Sequence, residues 1–592
     1  MVSGILFIDI ELDRNDRIMA VGAILGDVEQ RWNGGVAARD GLAQLAERAS
    51  LVAAHHGHAH DLAHISRVWP GHPVLLLPLI DTLLLSPLAF PENPYHHLVK
   101  DRRLVREEGN DPIADARACR KVLADQLAWI ERSHEASDPR LPLIRRALVD
   151  HFGEAPWRGS TERLFVGVDD VDLGEAIRRA SAAWEGRVCE SARQRLGAEP
   201  PSGSGMAWAY VASWLTTQLG SILPAWVWHA FPETRAIVTA LRERDCGSCA
   251  WCSRQHSPEA QLTRWFPDHR SFRALPQAAD GTSMQRAIVA AGLRDEPVFA
   301  VLPTGGGKSI AFQVPAFARY ERRGALTVVI SPLQSLMKDQ VDNLVLKTGT
   351  THSAAIYGAL TLVERRDVME RVRSGNIGLL YVSPEQLRNP GVRKMLASRE
   401  IGAWVFDEAH CIAEWGHDFR PDFWYAPRYI RELAKEQGVP VPSIAAFTAT
   451  AQPEVTQQIL DRVRTELGSV LVAFNGGAER TNLAYRVETC DEKARLGRAI
   501  ELLEELRDDR HRRCVRRDGH GRSVDQRRHG HERRRTPPGS HRRGDPRHER
   551  RHGPVAGPRG PTCCCSSSSA AISPTAPRPR RSTTTRAWSR WS

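Results

Sequence analysis

Short, nearly continuous apolar runs alternate with helical stretches along much of the chain, and this rhythm predicts an α/β protein. Between residues 270 and 490, five such runs each end in polar or glycine-rich residues: VFAVLPTGGGKS, LTVVISPLQSL, IGLLYVSPEQL, AWVFDEAH and IAAFTATA. Continuous apolar runs are typical of parallel strands that are buried on both faces. Because open α/β sheets place their sites at the carboxyl ends of strands, we expect one site where these runs end.

The pattern changes several times along the chain and predicts six segments. An α/β domain comes first, followed by a helical connector rich in Trp, a cysteine-containing segment and a parallel-sheet domain. A short helical link and a disordered tail without periodicity follow. The corresponding ranges are 1–125, 126–240, 241–268, 269–492, 493–508 and 509–592.

The positive charge is concentrated in the tail. The chain of 592 residues has a net charge of +11, yet the residues from Asp509 onward hold 22 arginines, no lysine and 6 acidic residues. The tail alone therefore carries +16, and the preceding 508 residues carry −5. Basic charge suggests a nucleic-acid partner, but here it says little about the folded part.

Neither terminus nor composition predicts a secreted or membrane protein. The start, MVSGILFIDIELD, has no basic region and indicates a strand. The apolar stretch 73–90 contains Asp81 and Pro78 near its centre, which argues against a membrane span. The 11 cysteines are unevenly spaced and do not form a disulfide framework. We therefore expect a cytoplasmic protein, associated with the nucleoid if the source is bacterial.

The sequence LPTGGGKS (302–309) follows an apolar run and opens a helical stretch. Backbone N–H groups of a glycine-rich loop, together with the positive end of a helix dipole, can bind phosphate oxygens. Lys308 is expected to reach the β- and γ-phosphates, and Ser309 is expected to bind Mg²⁺. The predicted ATP-binding residues in this loop are Thr304, Gly305, Gly306, Gly307, Lys308 and Ser309.

A second motif, VFDEAHCIAEWGHDFRP (405–421), places Asp407 and Glu408 at the end of another apolar run. Asp407 is expected to hold Mg²⁺ and Glu408 to orient or deprotonate the attacking water. With Lys308, these are the predicted catalytic residues. The aromatic loop that follows is not needed for hydrolysis. Aromatic faces stack on bases and Arg pairs with phosphate, so Trp415, Phe419 and Arg420 are predicted to sense single-stranded DNA.

These motifs, in this order, resemble the first motor domain of the RecQ family of ATP-dependent DNA helicases, in superfamily 2. The resemblance covers about residues 285–490 and includes ISPLQSLMKDQV, YVSPEQL, FTATA and ERTNLAYRV. It implies a RecA-like domain in which Gln285 reads adenine. It also implies that Thr448 and Thr450, in FTATA, couple hydrolysis to movement. Thr282 stands where the family usually has Arg.

Four acidic residues in the front segment form a second candidate site. Asp9 and Glu11 lie two apart on one predicted strand and share a face, and Asp61 and Asp115 follow on separate elements. Four carboxylates can hold two Mg²⁺ ions for phosphodiester cleavage. Residues 4–123 resemble the DEDD superfamily of 3′–5′ exonucleases, which implies an RNase H-like fold. Asn110 and Asp111 occupy the positions of the family's general base. Three readings therefore stay open: an active nuclease, an exonuclease-like fold without activity, and unrelated surface acids.

The segment CGSCAWCSRQH offers Cys246, Cys249, Cys252 and His256 as a tetrahedral zinc site. The same spacing suits an iron–sulfur cluster with a distant fourth ligand such as Cys189, and free thiols without a metal are the third reading.

Taken together, these features predict a RecQ-like 3′–5′ DNA helicase for repair or recombination, with ATP and Mg²⁺ as cofactors and single-stranded or junction DNA as partner. Residues 493–508 resemble the start of the link into a second motor domain, and the composition after 509 resembles out-of-frame translation or a truncation. We therefore expect this chain not to unwind DNA. The alternative for the segment after 509 is a genuine Arg-rich tail that binds nucleic acid electrostatically. The alternatives are a Mg²⁺-dependent exonuclease with a regulatory ATPase, and a non-catalytic DNA-binding scaffold.

Overall fold

The computed structural model describes residues 4–93, 96, 111–153, 158–197, 200–201, 203–217, 219–413, 421–449, 452–477, 489 and 491–504. The chain divides into two units, Met1–Tyr485 and Arg486–Ser592. In the second unit, residues 495–504 are helical, within the predicted link. The predicted tail lies outside the described residues.

The front of the first unit contains a five-stranded sheet: β1 (Ile5–Leu12), β2 (Ile18–Leu25), β3 (Val28–Asn33), β4 (Leu51–Ala54) and β5 (Leu79–Asp81). The strand order is β3-β2-β1-β4-β5. Strands β1, β2 and β3 pair antiparallel, whereas β4 pairs parallel with both β1 and β5. The predicted α/β class is therefore correct here, with a mixed sheet.

The described residues of this region also form helices α1 (Val36–Ala46), α2 (Asp61–Val68), α3 (Thr82–Ala89) and α4 (Pro112–Glu135). The start of α4 packs directly on β2 at Gly22, where an added Cβ would lie 2.4 Å from the carbonyl carbon of Pro112. Gly22 pairs with Asp9 of β1, so the missing side chain lets α4 approach the acidic strand. Helix α4 also runs through residue 125, so the predicted domain boundary falls inside a helix.

The middle of the chain is helical, as predicted: α5 (Leu141–Phe152), α6 (Arg158–Leu164), α7 (Leu173–Ala180), α8 (Glu190–Gln194), α9 (Gly205–Trp214), α10 (Ala225–Ala230), α11 (Glu233–Val238), α12 (Ala250–Gln255) and α13 (Pro258–Trp265). A π-helical turn, Thr239–Glu243, follows α11. One hydrophobic core contains Phe7 of β1, Leu123 of α4 and the buried Trp184 and Tyr210. The predicted connector therefore packs with the front sheet as one body.

The second half of the first unit is built on seven strands: β6 (Val298–Val301), β7 (Leu326–Ile330), β8 (Ser353–Ile356), β9 (Leu379–Val382), β10 (Ile401–Asp407), β11 (Ser443–Thr448) and β12 (Val472–Asn475). The order is β12-β6-β11-β10-β7-β9-β8, and every pair is parallel. The five predicted parallel strands are confirmed. The sequence pattern did not single out β8 and β12, which are short edge strands.

Among the residues that the structure describes, the helices on the two faces of this RecA-like sheet are α14 (Met284–Leu293), α15 (Lys308–Arg323), α16 (Gln334–Thr348), α17 (Leu362–Arg373), α18 (Pro390–Ala397), α19 (Pro421–Glu436) and α20 (Pro453–Leu467). In β10, Trp404 and Phe406 join one hydrophobic core and Val405 joins another. Successive side chains point to opposite faces of a strand, so burial on both sides requires a continuous apolar run.

No helix within the described ranges is both long enough and apolar enough to span a membrane. The apolar stretch 73–90 is instead divided between a 3₁₀ turn, strand β5 and helix α3.

Candidate functional site

The phosphate loop connects β6 to α15, and its shape depends on glycine. Gly305 and Gly307 have φ values of 81° and 85°, in the left-handed region that side-chain-bearing residues rarely adopt. Helix α15 begins at Lys308, directly after Gly307. The loop therefore leads into a helix N-terminus, where free N–H groups and the helix dipole favour a bound phosphate.

Two acidic residues meet this loop from β10. Because β6 and β10 are parallel strands of one sheet, their carboxyl ends lie on the same edge. The ammonium Nζ of Lys308 lies 2.9 Å from Oε1 of Glu408. Asp407 is buried and accepts a hydrogen bond from the Ser331 hydroxyl at 3.3 Å. The structure thus brings together the three residues that were predicted to be catalytic.

The environment of Asp407 disfavours its charged form. Burial, together with the neighbouring Glu408 carboxylate, raises the pKa of Asp407 to about 6, although Lys308 acts in the opposite direction. A divalent cation at this position would stabilise the ionised carboxylate. The donor set fits Mg²⁺, a hard cation that prefers oxygen ligands and commonly uses one or two carboxylates together with nucleotide phosphates.

His410 links the acidic pair to the neighbouring strand. Its Nδ1 lies 3.1 Å from Oγ1 of Thr448 and 3.4 Å from Oε2 of Glu408. Glu408 itself has φ of 51°, which is uncommon for a residue with a side chain. His410 and Ser331 stand inside sequence motifs that gave them no specific role, and only the fold shows their contacts. Thr450, Trp415, Phe419 and Arg420 lie outside the described residues.

Gln285 is buried beneath the phosphate loop. Its Oε1 accepts a hydrogen bond from the backbone N–H of Arg273, and its Nε2 donates to the carbonyl of Gly307, both at 2.9 Å. A Cβ on Gly307 would lie 2.1 Å from Nε2 of Gln285. In this structure Gln285 therefore supports the loop, and its role in reading adenine stays a prediction.

The front sheet gathers three of the four predicted carboxylates. Oxygen atoms of Asp9, Glu11 and Asp115 all lie within 4.8 Å of one another. Asp61 is not in this group, and its Oδ1 accepts a hydrogen bond from the backbone N–H of Ile10 at 3.1 Å. Asp61 also lies beside His60 and raises the pKa of that imidazole. Three carboxylates this close repel one another unless a cation or a proton is shared.

Of the two predicted general-base positions, only Asp111 lies within the described residues. Asp111 caps helix α4, where its side chain accepts a hydrogen bond from the backbone N–H of Ile113 at 3.2 Å. Asn110 lies outside the described residues.

The cysteine cluster differs from the predicted zinc ligand set. Sulfur atoms of Cys246, Cys249 and Cys252 lie together with that of Cys189, all within 4.8 Å of one another. His256 does not belong to this group, and its Nδ1 lies 3.4 Å from Nη1 of Arg322. The structure therefore groups Cys189, and not His256, with the three clustered cysteines. A group of four cysteines can hold a zinc ion.

Comparison with known proteins identifies the domain that carries the phosphate loop. Residues 282–459 match the DEAD/DEAH box helicase family. The chain is 38% identical over 223 residues to the probable ATP-dependent DNA helicase RecS of Bacillus subtilis, covering 38% of this chain and 42% of RecS. It is 34% identical over 204 residues to the ATP-dependent DNA helicase RecQ of Haemophilus influenzae, covering 34% of this chain and 30% of RecQ.

The match therefore spans less than half the length of these relatives. Among solved structures, the yeast DEAD-box splicing factor Prp28 aligns with a TM-score of 0.30 and 18% identity, covering 37% of this chain and 50% of Prp28. That score is too low to support any further argument. The chain contains a DEAD/DEAH box helicase domain whose relatives include RecQ-type DNA helicases.

Proposed function

We propose that residues 269–492 are the nucleotide-binding lobe of a RecQ-like ATP-dependent DNA helicase that moves 3′ to 5′ in repair or recombination. The observation that carries this proposal is the meeting of Lys308 with Glu408 beside the buried Asp407, at the carboxyl edge of a parallel sheet. Such an edge, with a glycine-rich loop and an acidic pair, is the arrangement that phosphoryl transfer from ATP requires. The similarity to DNA helicases supports DNA as the partner.

The ion pair between Lys308 and Glu408 suggests how the site responds to nucleotide. A bound triphosphate would compete for the Lys308 ammonium, because its phosphate oxygens carry more negative charge than one carboxylate. Glu408 would then be released to orient or deprotonate the attacking water. Mg²⁺ would supply charge neutralisation between the phosphates, held by Asp407 and Ser309.

Thr448 and His410 offer a path from this chemistry to movement. The backbone carbonyl of Thr448 accepts a hydrogen bond from Leu302 N–H at 3.0 Å, next to the phosphate loop. Its hydroxyl contacts His410, which contacts Glu408. A change at Glu408 is thus communicated to the strand end that leads into Thr450. We assign the DNA-sensing role to Trp415, Phe419 and Arg420 on the strength of their sequence motif.

The test is ATP turnover by the purified chain with and without single-stranded DNA. We expect DNA to stimulate turnover, and we expect Glu408→Gln to bind nucleotide but to hydrolyse it slowly. Glu432→Gln is the control, since Glu432 forms an exposed pair with Arg428 on helix α19. DNA binding without any ATP turnover in the wild-type chain would favour the scaffold alternative instead.

Unwinding is a separate question, because a helicase needs a second motor domain to close the DNA channel and to supply an arginine finger. From the composition after residue 509, we propose that this 592-residue chain hydrolyses ATP without unwinding DNA. Sequencing the gene across codons 500–520 and translating every frame tests the frameshift. Robust unwinding of a tailed duplex by the purified chain would contradict the proposal.

A second candidate function is Mg²⁺-dependent 3′–5′ exonuclease activity in the front domain. The observation that favours it is the grouping of Asp9, Glu11 and Asp115. Closely grouped carboxylates are the ligands of two-metal phosphodiester cleavage. This activity would degrade DNA without ATP and would be lost in Asp9→Ala but retained in Lys308→Ala. Failure of the wild-type chain to degrade single-stranded or duplex DNA with Mg²⁺ or Mn²⁺ would rule it out.

A further inference from the structure

Four cysteines from two distant parts of the chain meet between the helical middle and the RecA-like sheet. Cys189 precedes helix α8, and Cys246, Cys249 and Cys252 belong to a stretch that we call the cysteine segment (residues 239–256). All four are free thiols. Free thiols grouped in a protein that forms no disulfide from them are a common signature of metal binding.

The spacing of the sulfur atoms distinguishes a single ion from a cluster. The four sulfurs lie within 4.8 Å of one another. Tetrahedral zinc with Zn–S bonds of about 2.3 Å requires sulfurs about 3.8 Å apart, which small side-chain adjustments reach from this arrangement. An iron–sulfur cluster places inorganic sulfide between its irons, so its cysteine ligands must stand farther apart than around one ion. The observed sulfur spacing therefore fits a single zinc ion better than an iron–sulfur cluster.

The backbone around the cysteines is arranged to support thiolates. N–H groups point at three of the sulfurs: Cys249 N at Cys246 Sγ at 3.4 Å, Cys252 N at Cys249 Sγ at 3.4 Å, and Cys246 N at Cys252 Sγ at 3.5 Å. Hydrogen bonds from outer groups orient metal ligands and tune their charge. These N–H contacts orient the sulfur atoms in advance, as a metal-binding loop requires.

The cysteine segment also contacts α15, the helix that follows the phosphate loop, through an ion pair and a hydrogen bond. The Glu243 carboxylate lies 3.2 Å from Nε of Arg322, a residue of α15 whose side chain is fully buried. Arg242 donates a hydrogen bond to the carbonyl of Glu321 at 3.2 Å. On the other side, the backbone N–H of Cys189 donates to the carbonyl of Leu241 at 2.8 Å. The segment is therefore held between α8 and the carboxyl end of α15.

We propose that Cys189, Cys246, Cys249 and Cys252 bind one zinc ion, and that this ion holds Glu243 against the carboxyl end of α15. The ion joins the helical middle of the chain to the helix whose first residue is Lys308. Arg322 is fully buried, so the loss of the Glu243 carboxylate would weaken the compensation of a buried charge, which is destabilising. The site lies outside the nucleotide site, and the inference does not depend on helicase activity.

Metal analysis of the full purified chain tests the ligand set. We expect about one zinc per chain, no iron and no labile sulfide. Cys189→Ser and Cys246→Ser should each lose the zinc, whereas Cys119→Ser, at a buried thiol outside the group, should retain it. Iron with sulfide, a metal-free wild-type chain, or zinc retained in Cys189→Ser would each overturn the proposal.

A second measurement covers the case in which the serine variants fail to fold. A mercurial thiol reagent added to the wild-type chain should release zinc into a chromogenic chelator at about one ion per chain. Replacing the zinc with Co²⁺ should give the visible spectrum of tetrahedral thiolate coordination. A cobalt spectrum of octahedral oxygen or nitrogen coordination would show that the four thiolates are not the ligands.

Amide hydrogen exchange tests whether the zinc site stabilises the carboxyl end of α15. Removing the zinc should increase amide exchange at the carboxyl end of α15 as well as in the cysteine segment. Glu243→Gln should increase exchange at the same end of α15 while retaining the zinc, and Glu432→Gln should change neither. Zinc removal that loosens only the cysteine segment would refute the proposed link to α15.

Discussion

The nucleotide site and the front carboxylate group both contain acidic residues at a β-strand, but they differ in the charged groups that surround those residues. In the nucleotide site, the acidic pair of β10 has a cation of its own, because Lys308 lies 2.9 Å from Glu408. In the front domain, three carboxylates from β1 and α4 converge within 4.8 Å. The first arrangement can exchange one partner for another, whereas the second groups three carboxylates closely enough to share one divalent cation.

The comparison also separates two ways of assembling a site. Parallel strands bring their carboxyl ends to one edge automatically, so Lys308 and Glu408 meet as a consequence of the sheet. The front group needs a helix to cross a strand at close range. That approach depends on Gly22, opposite Asp9, and it carries Asp115 to the acidic strand while Asp61 is used to bind the backbone of Ile10.

The largest effect is expected from removing the built-in cation of the nucleotide site. Lys308→Ala should reduce ATP turnover by about 10²–10³-fold, the scale for losing one donor to a charged transition state. Steady-state ATP hydrolysis at saturating single-stranded DNA measures it. Lys435→Ala, at an exposed lysine of α19, should leave turnover unchanged. Equal turnover in both variants would show that Lys308 does not act on the phosphates.

Mg²⁺ without nucleotide should stabilise the front domain. At a concentration of 100 times its Kd, a bound ion adds about 2.7 kcal/mol to the free energy of unfolding. Asp115→Asn should abolish this gain, because it removes one of the three carboxylates that would hold the ion. Thermal unfolding with and without Mg²⁺ measures both effects. Asp40→Asn, at an exposed pair with Arg39, is the control; a Mg²⁺ response that survives Asp115→Asn would exclude this group as the site.

The packing of α4 on β2 can be broken without touching a carboxylate. Gly22→Ala should cost about 1–3 kcal/mol of stability, since its Cβ would overlap the backbone of Pro112. Because Asp115 moves with α4, the Mg²⁺ response should weaken too. Gly159→Ala is the matched control, since its Cβ meets only the Pro78 side chain, at 3.3 Å. An unchanged unfolding midpoint in Gly22→Ala would mean that the helix can shift at little cost.

The smallest expected effect is a response of the front half to acid. Burial, with the nearby His58, lowers the pKa of His151 to about 4. The unfolded chain therefore binds this proton first, and stability falls as the pH decreases from about 6.5 towards 4. Because the ring is only partly buried, we expect about 1–2 kcal/mol.

The experiment compares unfolding midpoints at several pH values between 7 and 4.5 in wild type and His151→Phe. The phenylalanine keeps the aromatic contacts with Phe152 and Phe231 but cannot take up a proton. His151→Phe should reduce the fall of the unfolding midpoint at acidic pH. His134→Asn, at an exposed position on α4, should not. Parallel curves for wild type and His151→Phe would assign the acid response to other groups.

The sequence by itself determined the parallel sheet and the residues at its edge. Continuous apolar runs that end in PTGGGKS and DEAH specify strands buried on both faces, and parallel pairing then fixes which ends meet. These patterns extend over only a few neighbouring residues, so a single sequence is enough to predict the strands and loops that they form. They also predicted the helical middle, although not that α4 would run through the proposed boundary at residue 125.

Only the tertiary structure decided the contacts between distant segments. It placed Cys189 with the three later cysteines, where sequence spacing had favoured His256, and it directed Asp61 to the backbone of Ile10. It also joined Glu243 to Arg322 and His410 to Thr448. These contacts depend on packing and on the hydrogen bonding of buried polar groups. Neither can be predicted from the spacing of residues along the chain.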